Sequence, residues 1–450
     1  MKLSCFAANA ALISALFVST SARGENWSGW MGNHRDGVYS ESDLIDEIPK
    51  NGLKVKWRTP VGGGYAGPAV ADGRVFVFDY QKSSGDVVND PGTRATLQGQ
   101  ERLHAIDEKT GDVIWTHAYN CPYSISYPVG PRCTPTVDGD RVYNLGSEGN
   151  LKCLGVRDGN VIWERNLKSE FGADVPIWGF SAHPLVDGDL LYCMVGGTGQ
   201  CVVAFDKLTG KVRWKALDSP AGYCPPSIIT AAGVRQLMIY TPDGVSSLNP
   251  ADGSVLWTVG ITPQYEMSIN RPVIDGDRMY VSGIGSESVM LQLNDDAPGA
   301  EVLWRGERNS ALYTANSTPL FVDGIVLGTD CHDGSLIAVD SSTGDRLWES
   351  FLPTAPNATE RQKKVGVKHG TAFLTKIGDA NRYLLFSETG HLILADMDAQ
   401  GYTERGRFKA LEPTSECFGR KVVWSHPAYA NQTAFARNDQ EVVAIDLAKR

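Results

Sequence analysis

Apolar and polar positions alternate in short runs along this chain, and nowhere do they hold a sustained helical period. Runs such as Arg74-Val75-Phe76-Val77 and Arg141-Val142-Tyr143 read as half-buried strands. Many follow a proline, a few apolar residues and an Asp-Gly pair. Pro135 to Gly139, Pro184 to Gly188 and Pro272 to Gly276 have this form; Pro68 with Asp72-Gly73 and Pro319 with Asp323-Gly324 match it. Asp-Gly accepts the positive φ of a two-residue hairpin turn, so each pair predicts two antiparallel strands. A further turn recurs as Glu148-Gly149, Asp243-Gly244, Asp333-Gly334 and Thr389-Gly390.

A longer unit spans these turns. Ala105-Ile106-Asp107 runs through Thr110-Gly111 to Trp115. The same order returns from Ala204 to Trp214 and from Ala338 to Trp348. Weaker copies end at Trp163 and Trp257, and one ending at Trp304 carries the insertion Asp295 to Gly299. From Trp57 to Trp348 successive tryptophans lie 43 to 58 residues apart, the length of a four-stranded blade. One such meander cannot bury both faces; a ring of them can. The expected fold is therefore all-β, an eight-bladed β-propeller of four-stranded antiparallel blades. Trp57, Trp115, Trp163, Trp214, Trp257, Trp304 and Trp348 are expected to dock each blade on the next.

Six repeats lie between Trp57 and Trp348. A seventh, 349 to 409, has no terminal tryptophan. An eighth, 410 to 447, stops at Val443-Ala444-Ile445-Asp446, one strand short. Leu53 to Trp57 supplies that strand from the other end of the chain. The predicted organisation is an export signal over 1–22, a lead-in arm over 23–52 and a single propeller over 53–450. A seven-bladed ring with the seventh repeat as an insertion is the alternative.

The unit Ala-x-Asp-x-x-Thr-Gly-x-x-x-Trp, repeated round a ring, resembles the pyrroloquinoline-quinone (PQQ) type of propeller, which includes quinoprotein alcohol dehydrogenases and the BamB-type scaffold. The resemblance covers residues 53 to 447. The lead-in Trp27-Ser28-Gly29-Trp30-Met31-Gly32, then Arg35-Asp36-Gly37, resembles the start of exported PQQ-like propellers of planctomycete-like bacteria. The repeat is specific for fold and unspecific for function. A quinoprotein dehydrogenase of this kind implies a quinone between a tryptophan and two adjacent cysteines, with calcium held by Glu, Asn and Asp. This chain has no Cys-Cys pair. Trp178 could stack on a ligand, Glu266 and Asn270 could offer oxygens, and no base is assigned.

The segments before the proline strands are expected to rim one mouth of the channel. They carry Tyr65, Tyr127, Trp178, His183, Tyr223, Tyr265, Glu266, Asn270, Tyr313, His369, Trp424 and His426. Aromatic rings at such positions suit a glycan, a peptide or a flat cofactor, or else plug the mouth. His183, His369 and His426 could converge, but no metal is expected, because no histidine pair has ligand spacing. No nucleophile elbow, phosphate loop or dinucleotide fingerprint is present.

Composition narrows the partners. The 450 residues are 42% hydrophobic and 21% charged, with 42 basic against 52 acidic residues and a net charge of −10. The densest basic spots are Lys363-Lys364 and Arg420-Lys421. Nucleic acid needs a concentrated basic surface, so it is excluded as the main partner. Lys2, the apolar stretch Phe6 to Val18 and the small residues Thr20-Ser21-Ala22 read as an export signal cut before Arg23, with a buried N-terminal helix as the alternative. No apolar run is long enough to span a bilayer. Export permits disulfides: Cys193 with Cys201 across a Gly-rich turn, and Cys121 with Cys133, are candidates, against ordinary buried thiols. The expectation is an exported, periplasmic or extracellular, monomeric binding or scaffold module for an envelope protein or glycan. The alternative is a PQQ- and calcium-dependent dehydrogenase of alcohols or sugars.

Overall fold

The structure is a computed structural model and describes residues 25–307, 309–360, 362 and 366–449. The segment expected to be an export signal, 1–22, and Lys363-Lys364 lie outside the described residues. Eight antiparallel sheets form the ring. Blades 1 to 7 run in sequence order over residues 69–120, 136–166, 185–216, 227–259, 273–305, 320–350 and 372–409. Blade 8 combines Ala428–Ala430, Thr433–Arg437 and Glu441–Asp446 with Val55–Pro60 from the start of the chain. Val55 faces Ile445 and Thr59 faces Val442. The eight-bladed ring, closed by the N-terminal strand, is therefore what forms, and the seven-bladed alternative falls.

The first strand of each blade faces the axis, where first strands of neighbouring blades touch. The last strand alternates exposed and half-buried residues on the rim, as in Val113–Asn120. Antiparallel order puts the Asp-Gly and Thr-Gly turns on one face, here the turn face. The connections between blades lie on the other, the loop face.

The repeat tryptophans join blade to blade by one device. Trp57 Nε1 donates to the Glu108 carbonyl of blade 1 at 2.8 Å, Trp115 to Val156 of blade 2 at 3.0 Å, and Trp163 to Lys207 of blade 3 at 2.9 Å. Trp214, Trp304 and Trp348 do the same with Pro250, Ser341 and Asp398. Each acceptor lies in the turn before the next blade's last strand, and the glycine of that turn lets the indole approach. At Gly159, with φ of 68°, a Cβ would stand 2.6 Å from the Trp115 ring. Gly159→Ala combines a left-handed backbone with that clash and should destabilise the fold by about 1–3 kcal/mol, read by denaturant unfolding.

Trp257 departs from the pattern. Its Nε1 donates at 2.9 Å to Gln236 of its own blade. The inserted turn from Asn294 to Gly299, closed by its own backbone bond, stands where the acceptor turn would be.

The lead-in arm does more than precede the ring: it threads the channel. Trp27 bridges Val70 of blade 1, and the Ser28 carbonyl accepts from Val137 N of blade 2. Val38–Tyr39 pairs in parallel with the inner strand of blade 7, Val38 facing Lys376. Glu41 accepts from the backbone of Asn431 and Gln432 in the blade 8 turn, so the arm enters from the turn face. Farther on, Ile48 N donates to the Arg405 carbonyl on the last strand of blade 7, and Gly52 packs on Phe408. The seventh repeat lacks its tryptophan, and the arm covers that strand instead.

The eight cysteines from Cys121 onward are buried and free. Of the two readings for Cys193 and Cys201, a bridge or ordinary buried thiols, the structure has the thiols. Strand register sets Cys193 opposite Val203, and Cys201 lies two residues away on a diagonal, beyond the reach of a disulfide. Cys121 and Cys133 sit in separate apolar clusters and do not pair either.

Candidate functional site

At the level where the inner strands begin, the channel is occupied by Trp30 and Arg35. Trp30 stacks on His183 with centroids 5.0 Å apart at 14°, and meets His426 edge-on at 5.8 Å. Arg35 is 6% exposed and donates to the carbonyls of His183, Pro184 and Pro226, at the entry to blades 3 and 4. Burial, reinforced by the charge of Arg271, lowers its pKa to about 9. Burial likewise lowers His426 to about 3, and His183 well below its ordinary value. His183 Nδ1 accepts from Thr134 N at 2.8 Å. Both rings are therefore neutral packing partners of the arm.

Several expected rim residues lie beneath the mouth. His183 is buried. Asn270 is 2% exposed, with its amide donating to Thr314 Oγ1 at 2.7 Å. Tyr313 is fully buried, its hydroxyl on the Glu307 carbonyl. The proline that follows each segment turns the chain down into the channel, and the preceding residue goes with it.

The remaining mouth residues pack on one another. Tyr65, Tyr127, Trp178 and Trp424 surround Cys417 and Val422. Tyr127 and Trp424 are 6.4 Å apart, Trp178 and Tyr223 5.3 Å. Arg132 lies over the Tyr65 ring, and Tyr127 Oη contacts Cys417 Sγ at 3.4 Å. A hairpin absent from the other blades, Ser415–Cys417 with Arg420–Val422, folds over this side. It is anchored by Arg420, which donates twice to buried Glu388, as does Trp424 Nε1 once. Its tip, Phe418, stacks on His369 at 5.1 Å and 7°. Burial, with Lys368 and Arg420 nearby, lowers His369 to about 4. His369 therefore stands apart from the His183–His426 pair. The long hairpin of blade 1 completes the roof: Asn89 donates to the Glu416 carbonyl, and Arg94 to those of Ser124 and Val175.

That hairpin is rooted on Glu101, which is wholly buried and accepts from Tyr119 Oη, Tyr123 Oη and Ser147 N. Burial raises its pKa despite these donors. A raised carboxyl contributes stability that is complete below the ordinary glutamate range and lost as pH rises through the raised value. Glu101→Gln should therefore gain on the native chain in unfolding free energy at pH 8 relative to pH 4, read from denaturant midpoints at the two pH values.

Parts of the loop face stay open, among them a hollow of about 570 Å³ beside the connection after blade 6. A groove of about 710 Å³ runs over the connections of blades 2 to 5. Asp174, Asp218, Asp243 and Glu266 line it, with Arg94 at one end and Tyr223 and Tyr265 as aromatic wall. Asp218 accepts from Gly199 N and Asp243 from Ser219 Oγ, so these two are fixed. Asp174 and Glu266 are exposed, and Tyr265 is 74% exposed. The turn 196–198 forms a wall of this groove rather than a tight hairpin. The sequence marked Tyr265 and Glu266 as candidates and Asp243 only as part of a turn, and carried no signal for Asp174 or Asp218; Asp174 and Asp218 come from two blade connections and Asp243 from a turn within blade 4.

Of the residues implied for a quinone and calcium, Trp178 and Asn270 are engaged by the protein itself. Trp178 packs on Tyr223, Glu266 belongs to the groove, and Asn270 is engaged below the mouth. Among the described residues, one group has metal-ligand types together, Asp330, Cys331 and His332. Asp330 is held there by ion pairs to Arg346 and His332, both at 2.8 Å, and burial raises the Cys331 thiol. Those pairs describe an ionic anchor for the blade 6 turn. Among the described residues no helix is long and apolar enough to cross a membrane.

The ring and its repeats define an eight-bladed propeller of the PQQ-like class. The sequence model of the family described as outer membrane protein assembly factor BamB matches residues 99–294 and 243–450, and the chain belongs to that family. It is 26% identical over 230 residues to outer membrane protein assembly factor BamB of Yersinia pestis, covering 48% of this chain and 55% of that protein. It is 22% identical over 248 residues to the dehydrogenase subunit of a quinone alcohol dehydrogenase of Komagataeibacter europaeus, covering 51% of this chain and 31% of that one. The chain thus spans a little over half of the BamB relative and a third of the dehydrogenase. Among solved structures, BamB from Moraxella catarrhalis superposes with a TM-score of 0.55 at 15% identity, over 88% of this chain and 98% of that one. The quinohemoprotein alcohol dehydrogenase of Comamonas testosteroni does so at 0.59 and 12%, over 96% and 82%. These likenesses show the fold.

Proposed function

We propose that the chain is an exported envelope module that binds a protein partner through the acid-lined groove on its loop face. One observation carries the reading. The arm occupies the axial channel and the mouth aromatics pack on one another, while the groove stays open beside them, as does a hollow of about 570 Å³ by the connection after blade 6. Its exposed carboxylates and exposed Tyr265 suit a basic, partly apolar segment of a partner. Membership of a family named for outer-membrane protein assembly supports a protein rather than a small substrate.

The test places a photo-crosslinking residue at Tyr265, and a control at Val212 on the outer rim, in native envelope preparations. A discrete protein adduct is expected at Tyr265 alone, and the pair Asp174→Lys with Glu266→Lys should weaken capture at least about tenfold. Equal adducts at both positions, or none at Tyr265, would overturn the reading, and adducts with polysaccharide alone would replace protein by glycan. The dehydrogenase alternative has its own readout. Titration of PQQ with calcium into the full chain should give no stoichiometric heat, and a one-to-one calcium-dependent heat would establish it instead.

A further inference from the structure

Three arginines sit in cradles of backbone carbonyls, with Glu101 also acting on Arg132 and Asp79 and Asp439 on Arg437. Arg35 is held by three carbonyls, Arg132 by those of Ser126, Tyr127 and Gly130, and Arg437 by those of Gly62, Phe78 and Asn438. Arg271 has no such cradle. Its Nε is buried without a partner, and among the described residues its guanidinium makes no hydrogen bond or ion pair. Asp36 on the arm is the carboxylate that acts on it, but Asp36 Oδ1 accepts from Val38 N, and Arg35 lies close enough to repel Arg271.

Arg271 immediately precedes the inner strand of blade 5. His183 in blade 3 and His426 in blade 8 hold the same place, and Trp30 stands between those two rings. The arm fills the channel from the turn face. Yet Arg271, His426, Asn316 and Ser181 are only partly buried, so solvent still reaches this level. A guanidinium held in a confined site without acceptors is costly, and what it lacks is a planar oxyanion that can take two parallel N–H bonds. Both histidines are neutral, so the positive charge at this level is that of Arg271 and Arg35. Asp36 beside them opposes a dianion.

We propose that this part of the channel is an anion site for a compact monocarboxylate, bound by the Arg271 guanidinium near Arg35 of the arm. It is separate from the groove and does not depend on the partner reading.

The experiment titrates benzoate, lactate and inorganic phosphate into the full chain at low ionic strength, reading heat and Trp fluorescence. One carboxylate per chain is expected, saturating below roughly 1 mM, with phosphate weaker. Arg271→Met should weaken it at least about tenfold, while leaving the unliganded chain as stable as before or more so, because an unpaired buried charge is removed. Arg271→Lys keeps the charge but not the fork and should fall between. Three results would each overturn the proposal: no saturable carboxylate binding by the native chain, equal binding by the native, Met and Lys chains, or phosphate bound more tightly than either carboxylate.

Discussion

Asp79→Ala should cost about 3–5 kcal/mol in unfolding free energy at pH 7. Asp79 is fully buried on the second strand of blade 1. Its carboxylate accepts from Arg102 Nε and NH2 at 2.9 and 2.8 Å, from His104 Nε2 at 3.1 Å and from Gly62 N. Gly62 belongs to the segment that leaves the closing strand, and its carbonyl accepts from buried Arg437 of blade 8. The carboxylate thus holds the seam where the two ends of the chain meet. Without it, Arg102, His104 and the Gly62 amide lose their acceptor inside the protein, which is the expensive way to break a buried pair. Burial works to raise the Asp79 pKa, but hydrogen bonds from His104 and Arg102 prevail and hold it well below the ordinary aspartate range. A depressed carboxyl contributes stability that is present above the ordinary range and lost as pH falls through the lowered value. The gap between native and variant chains should therefore be widest near neutral pH and narrow as acid is added. Denaturant midpoints measured across that range test both claims, and a neutral-pH difference below about 1 kcal/mol would sink them.

Trp57→Ala should cost about 3–5 kcal/mol, and Trp257→Ala roughly 1–2 kcal/mol, although the two occupy equivalent places in the repeat. Trp57 is 8% exposed, packs on Gly111 of the next blade and donates to the Glu108 carbonyl there. Its ring also packs on Phe435, so its loss loosens the closing strand, which only pairing with Glu441–Asp446 holds to the rest of blade 8. Trp257 is half-buried and bonded within its own blade, so its loss leaves a smaller void and no orphaned acceptor on a neighbour. Equal unfolding free energies for the two variants would show that the docking hydrogen bond and the hold on the closing strand contribute nothing of their own.

The geometry of the loop face changes how the repeat is read functionally. Sequence spacing put twelve side chains at one mouth. The fold turns His183, Asn270 and Tyr313 inward, packs Tyr65, Tyr127, Trp178 and Trp424 together under a hairpin, and leaves Tyr265 and Glu266 facing open space. Plugging accounts for most of these aromatic residues, and the groove arises beside them.

The sequence by itself determined the blade, its four strands, the Asp-Gly and Thr-Gly turns, the docking tryptophans and the ring closed by Leu53 to Trp57. Each rests on short-range chemistry, strand alternation and turns that need positive φ, written eight times over, so that a weak copy is read from its neighbours. The tertiary structure alone decided the course of the arm. Trp30 and Arg35 occur once, and their partners His183, Pro226 and His426 lie from 148 residues away, at the His183 carbonyl, to nearly the far end of the chain. It alone set Cys201 on a diagonal from Cys193, because register depends on how wide the 196–199 turn opens. It alone gathered Asp174, Asp218, Asp243 and Glu266 round one groove and left Arg271 without an acceptor. No local pattern encodes such meetings, since the groups that meet lie on segments far apart in sequence and the connections do not repeat as the strands do.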